Sequence, residues 1–239
     1  MRSTELVGAD AAGTRGYDSP LRREQARRTQ RRIVDAAYRL LLERGYAATT
    51  MAGVAAEAGV SAQTVYKAFG TKAALVKRVY DVTLAGDDEP VPLAARADVR
   101  AAYEERDPRK VLAWYADLGR TLLERLAPLL TVVLAGARTG EPELLELLET
   151  VNGERLQGTL MAARRLAELG ALREGLGVEE ARDLIWTLNS LEVWNLLVIQ
   201  RGWTPQAYSS WVARAMADSV LAPGSGPKSA AGAGSEEPA

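Results

Sequence analysis

The chain has 239 residues, 26% of them charged, a formal net charge of −1, and neither cysteine nor histidine. That composition excludes disulfides, thiol nucleophiles, imidazole bases and the commonest zinc ligands together, and no loop carries the spaced acidic ligands of a calcium or magnesium site. The length allows one large or two small domains with a substantial core; without an apolar leader or a membrane-length apolar run, the expectation is a cytoplasmic protein that does not engage a membrane.

The near-zero net charge conceals a division. Between Pro20 and Tyr80 there are 12 Lys and Arg against 4 Asp and Glu, whereas from Asp81 onward there are 16 against 24. A compact basic part joined to a longer acidic one suits a protein whose first part alone meets a polyanion, although charge runs are ordinarily just solvated faces. Residues 1–19 are rich in Gly, Ala and polar side chains without a period, the composition of a disordered arm. From Leu21 to Arg44 the pattern is helical: Ile33, Ala37, Leu40 and Leu41 face inward, and Arg22, Arg23, Arg27, Arg28, Arg31 and Arg32 crowd the first half. Gly45 ends it.

Thr50 supplies the side-chain oxygen of a helix cap, and Val54, Ala55 and Ala58 the apolar face that follows. Gly59 stops this helix, Val60 is the expected buried turn residue, and Ser61 caps a second short helix carrying Ala62, Gln63, Thr64, Val65, Tyr66 and Lys67. Two short helices joined by a three-residue turn containing glycine form a helix-turn-helix, whose second helix can enter a major groove. Thr71 caps a further helix, opening with Lys72 and running to about Leu84.

Gly86 to Pro92 is a linker by composition, and a short helix is expected from Leu93 to about Glu105. Asp107 and Pro108 are an N-cap and a first-turn proline for a helix reaching Ala137, with the stripe Val111, Tyr115, Leu118, Leu122, Leu126, Leu129 and Val133. Pro128 inside it should kink it. Pro142 starts the next helix, which ends at Gly170 and contains the weak helix formers Asn152 and Gly153. A helix expected over Val178 to Arg201 is apolar on two sides, Leu184, Leu188, Leu191 and Val198 on one and Trp186, Val193 and Leu197 on the other. Such a helix must be buried all round, which calls for a second subunit. Thr204-Pro205 opens a last helix with Tyr208, Trp211, Val212, Ala215 and Met216 apolar, and beyond Leu221 the composition is that of a disordered tail.

The run A-x-x-A-G-V-S-x-x-T-V-Y-x-x-F-x-x-K-x-x-L, carried by Ala55, Ala58, Gly59, Val60, Ser61, Thr64, Tyr66, Phe69, Lys72 and Leu75, resembles the DNA-binding domain of the TetR (tetracycline repressor-like) family. Gly170-Ala171-Leu172-Arg173, Glu180-Ala181-x-Asp183-x-x-Trp186 and Arg201-Gly202-Trp203-Thr204-Pro205 resemble a subgroup of those regulators and extend the likeness to about residues 25–221. The resemblance implies an all-α protein of about nine helices. A helix-turn-helix domain over 20–85, sharing its last helix, precedes a regulatory and dimerisation domain over 86–221. It also implies an unbroken helix through Asn152-Gly153 and a homodimer formed by the last two helices, with no cofactor or metal.

On the family pattern, Thr50, Thr64, Tyr66 and Lys72 are phosphate contacts, chemically apt as hydroxyls, a phenol and an ammonium at or near helix starts. Ser61 and Ala62 begin the recognition helix, Ala62 within reach of a thymine methyl, and Gln63 and Lys67 have the groups that read adenine and guanine. Ala52 departs from the arginine many relatives carry. Candidates for binding a small, mostly apolar effector are Tyr103, Trp114, Tyr115, Leu118, Met161, Trp186 and Asn189, for each of which plain core packing is an equal alternative. Trp194, Trp203 and Trp211 are assigned to packing and the dimer interface. The leading function is a ligand-responsive transcription regulator that binds a near-palindromic operator in double-stranded DNA. A helix-turn-helix used for protein contacts is disfavoured by the clustered arginines and Lys72, and an enzyme by the absence of any acid–base or phosphate-cradle constellation.

Overall fold

The structure, a computed structural model, describes residues 20–86 and 104–224. The expected arm, the linker after Gly86, nearly all of the short helix from Leu93, Tyr103 and most of the tail lie outside the described residues. Over the described residues the chain is helical, with a single isolated bridge between Leu172 and Leu221, and no helix among them is long and apolar enough to cross a membrane.

Helix α1 (Pro20–Ala48) is regular as far as Gly45, where φ of 75° breaks it and Thr49 Oγ1 donates to the Gly45 carbonyl at 2.7 Å. Helices α2 (Met51–Glu57), α3 (Ala62–Phe69) and α4 (Lys72–Ala85) each start on a hydroxyl: Thr50 accepts from the Gly53 amide, Ser61 from Thr64 and Thr71 from Ala74. Gly59, at φ 64°, closes the turn between α2 and α3, and the Val60 amide donates to the Ala55 carbonyl at 2.9 Å. Val60 is half-buried rather than buried, packed against the core that these helices share.

That core holds Ile33, Leu41, Val54, Val65, Leu75 and Val79, and α1 to α4 do not close it alone. It continues through Leu126, Leu129 and Val133 of α5 (Pro108–Arg138) and Leu144, Leu147 and Val151 of α6 (Pro142–Glu168). Asp107 caps α5 by accepting from the Arg109 amide at 2.9 Å. Pro128 sits on an exposed position inside α5, and the helix continues past it. Helix α6 runs unbroken through Asn152-Gly153.

A second core joins the first half of α5 and the second half of α6 to α7 (Val178–Leu188), α8 (Leu191–Trp194) and α9 (Pro205–Val220). Here the sequence expectation needs correction, because no single helix spans 178–201. Helix α7 stops at Leu188, Asn189 takes φ −102° and ψ 52°, and Ser190 caps α8 by accepting from the Val193 amide at 3.3 Å. The chain then widens into π-helical turns over Asn195–Gln200. Asn and Ser compete for local backbone groups and favour caps over helix interiors, which is why the break falls there. Each of the two apolar faces is thus divided by the break, Leu184, Trp186 and Leu188 lying in α7 and Leu191, Val193, Leu197 and Val198 beyond it. Helix α9 is tied back by the loop before α7, the Arg173 amide donating to the Val220 carbonyl and the Ala222 amide to Ala171, each at 2.9 Å.

Candidate functional site

The first surface with functional chemistry is α3. Val65 is fully buried beneath it, so Gln63, Tyr66 and Lys67 are turned outward, Tyr66 being 54% exposed. Thr50 and Ser61 are exposed, and the Thr64 hydroxyl lies 2.8 Å from that of Ser61. Ala62 is half-buried against the core. Along α1 the six arginines are exposed, Arg28 pairing with Glu24 at 3.0 Å. Helix α3 thus presents donors and acceptors suited to base edges, between helix starts whose dipoles favour anions, and α1 presents a run of exposed cations.

Lys72 is placed differently from an outward phosphate contact. Its ammonium donates to the Tyr46 carbonyl at 2.9 Å and stands 3.7 Å from the centroid of the Tyr46 ring. Burial lowers its pKa, against the pull of Glu141 and Glu143. The Tyr46 hydroxyl in turn donates to Glu143 at 2.9 Å; burial, then this bond, pushes its pKa above the ordinary tyrosine value. One buried tyrosine therefore ties the end of α1, the start of α4 and the start of α6 together. Nothing in the sequence pattern marked it.

The second feature is a cavity of about 610 Å³ bordered by α4, α5, α6 and the α7–α8 break, within the range of roughly 300–1,000 Å³ typical of small-molecule sites. Trp114, Tyr115, Leu118, Met161 and Asn189 line it. Trp186 does not; its ring lies 5.0 Å from the Arg155 guanidinium, and its indole N–H is buried without a partner among the described residues. Tyr103 lies outside the described residues. Sequence reasoning missed Tyr80 and Leu84 of α4, Leu130 and Leu134 of α5, and Arg155 of α6. It also took Leu122 and Leu126 only as part of an inward stripe, whereas both border the cavity beside Leu118.

Asn189 forms the polar wall. Its Nδ2 donates to the Tyr115 carbonyl at 3.3 Å and its Oδ1 accepts from the Tyr208 hydroxyl at 3.4 Å. It occupies the space above Gly119, where a β-carbon would come within 2.0–2.4 Å of the amide. Beside the cavity Lys77 donates to Asp81 at 2.6 Å and to Glu154 at 2.8 Å, joining α4 to α6. Burial disfavours the Lys77 charge, but those two carboxylates outweigh it and raise its pKa. Elsewhere, Leu196 and Ile199 are 53% and 65% exposed on the π-helical segment, and Trp203 meets Trp211 edge to face at 6.2 Å. Trp194 is buried, against Tyr208. No cluster of acidic side chains able to hold a metal ion is present among the described residues.

Residues 33–79 match the family model for bacterial regulatory proteins of the tetR family. The HTH-type transcriptional regulator YdeS of Bacillus subtilis (strain 168) is 30% identical over 162 residues, 66% of this chain and 74% of that protein. Among solved structures, SmeT in its triclosan complex superposes with a TM-score of 0.64 at 21% identity, covering 83% of this chain and 94% of that one. NalD, the secondary repressor of the MexAB-OprM multidrug efflux pump in Pseudomonas aeruginosa, gives 0.61 at 22% identity, covering 82% and 98%. At those identities the structural likeness speaks for the fold alone.

Proposed function

This chain belongs to the TetR family of bacterial transcription regulators with a helix-turn-helix, and on that premise we propose that it is a repressor released from its operator by a small, mostly apolar effector. The observation that carries the DNA half is α3 itself: Gln63 and Lys67 stand exposed on a helix whose opposite face, at Val65, is fully buried. In this reading those two side chains read base edges from the major groove, and Thr50, Ser61, Thr64 and Tyr66 donate to backbone phosphates. Lys72 adds charge at the start of α4 while holding Tyr46. Residues 20–85 form the reading head and α5 to α9 the regulatory part.

Two heads on one near-palindromic site require a dimer, and the exposed Leu196 and Ile199, with Trp203 and Trp211 half-buried, favour a dimer face on the α7–α9 side. The cavity is the effector site. Tyr80 and Leu84 belong both to its wall and to α4, so a ligand there acts directly on the helix that carries the reading head. It shifts the equilibrium only by its differential affinity for the two arrangements, about 1–3 kcal/mol of coupling.

Binding of the purified protein to genomic DNA fragments at low and high salt tests the reading. Specific complexes that survive moderate salt, with affinity falling steeply as salt rises, are expected. Absence of binding at low salt would favour a module that contacts protein instead.

A further inference from the structure

We propose that the cavity takes a single-chain amphiphile with an anionic head, the head held at Arg155 and the chain lying along α5 toward its Leu134 end. This rests on the reading of the cavity as an effector site and names its ligand class.

Shape is the first argument. On α5 the lining side chains recur every fourth residue from Leu118 to Leu134, a distance of roughly 24 Å at 1.5 Å per residue. A row of that length is longer than a single ring system and suits one extended chain.

Polarity is the second. Asn189 sits against Gly119, near one end of the leucine row, and the bond between the Tyr115 and Thr159 hydroxyls at 2.7 Å sets the register that brings Arg155 to the same level. The other end, at Leu130, Leu134 and Leu148, is apolar. A polar end and an apolar end call for a ligand built the same way.

Charge is the third. Arg155 donates to Asn152 Oδ1 at 3.1 Å and to the carbonyls of Trp186 at 3.3 Å and Asn189 at 3.1 Å, all neutral oxygens. No carboxylate pairs with it among the described residues, its neighbour Glu154 being engaged by Lys77. Three of five N–H donors are thus used, and a guanidinium on an apolar wall with donors to spare is suited to a carboxylate or a similar anion. Glu192 also borders the cavity but is exposed at its rim, where solvent weakens any hold on a cationic head.

The test uses the full chain and straight-chain carboxylates of eight to sixteen carbons below their micellar concentrations. Alkyltrimethylammonium ions and alkanols of equal length, and compact aromatic phenols, serve as comparators. Binding is read by calorimetry and by emission of Trp114, which borders the cavity. Each added methylene is expected to tighten binding by about fourfold until the chain fills the leucine row. The carboxylate should bind about tenfold more tightly than the ammonium ion of equal length. Arg155→Gln should erase the preference for carboxylate over alkanol. Because Arg155 also holds the end of α7, Leu130→Phe is the second variant: it leaves the head site intact and should shift the optimum to shorter chains. Equal or tighter binding of the ammonium ions or compact phenols, no dependence on chain length, or no binding would overturn the proposal. Operator release is measured in parallel. Carboxylates that bind without releasing DNA would keep the ligand class and refute the regulatory reading; release by phenols alone would do the reverse.

Discussion

Gly119→Ala offers a test of the cavity wall in which the sign of the effect is the result. In an ordinary helix interior the change stabilises by about 1 kcal/mol, since alanine is the better helix former. Here the new β-carbon would lie 2.0–2.4 Å from the Asn189 amide, so that side chain must leave. Its bonds to the Tyr115 carbonyl and the Tyr208 hydroxyl, at 3.3 and 3.4 Å, go with it. Two such bonds are worth about 1–3 kcal/mol together, which offsets or exceeds the helix gain and leaves the variant unchanged or up to about 2 kcal/mol less stable. In an Asn189→Ala background the three atoms that meet the new methyl are gone, and the same substitution should stabilise, by up to ~1 kcal/mol. Urea unfolding of the four proteins at one protein concentration gives the coupling, expected at about 1–3 kcal/mol. Equal stabilisation in both backgrounds would refute the packing of Asn189 on Gly119.

Other outcomes follow from the same geometry. Gln63→Ala should relax preference at one base position by about 1–3 kcal/mol, measured by binding to single-position operator variants. An unchanged preference would remove Gln63 from the readout. Tyr46→Phe removes the bond to Glu143 and should cost about 1.5–3 kcal/mol in denaturant unfolding. The folded Tyr46 pKa lies above the ordinary tyrosine value of about 10, so its contribution is whole below pH 10 and lost as pH rises through the folded value. The phenylalanine variant should therefore lose less stability between pH 10 and 11 than the parent. Leu196→Glu with Ile199→Glu, at positions already exposed, should leave helicity and the melting profile of the monomer intact while shifting sedimentation from dimer to monomer; an unchanged dimer would place the interface elsewhere.

The helix-turn-helix was largely legible because its determinants are local. Thr50, Ser61 and Thr71 are caps, and Gly59 is a turn residue whose φ of 64° the sequence position anticipates. Beyond Gly86 the sequence made the stripes of α5, α6 and α9 legible, but neither the number of helices over 178–201 nor what the stripes face. A leucine every fourth residue on α5 predicts an apolar environment and cannot distinguish packed core from cavity wall, so Leu118 and Leu122 carried the same signal as buried Leu129. The α7–α8 break was hidden for a related reason. Apolar residues continue at helical intervals through Asn189-Ser190, and it is the non-helical backbone of Asn189 and the Ser190 cap that interrupt the helix. Tyr46 and Arg155 act across 97 and 34 residues of sequence, to Glu143 and Asn189 respectively, and no pattern local to either residue announces such a partner.

The measurement that bears most directly on this account is sequencing of the duplex DNA retained by the purified protein from a random library at moderate salt. Enrichment of one near-palindromic sequence, its half-sites about one helical turn apart or a multiple of it, with the enriched bases altered by substitutions at Gln63 or Lys67, is the predicted result. Retention of duplexes without any shared sequence, or a shared sequence that neither substitution changes, would contradict the assignment of α3 as the reading helix.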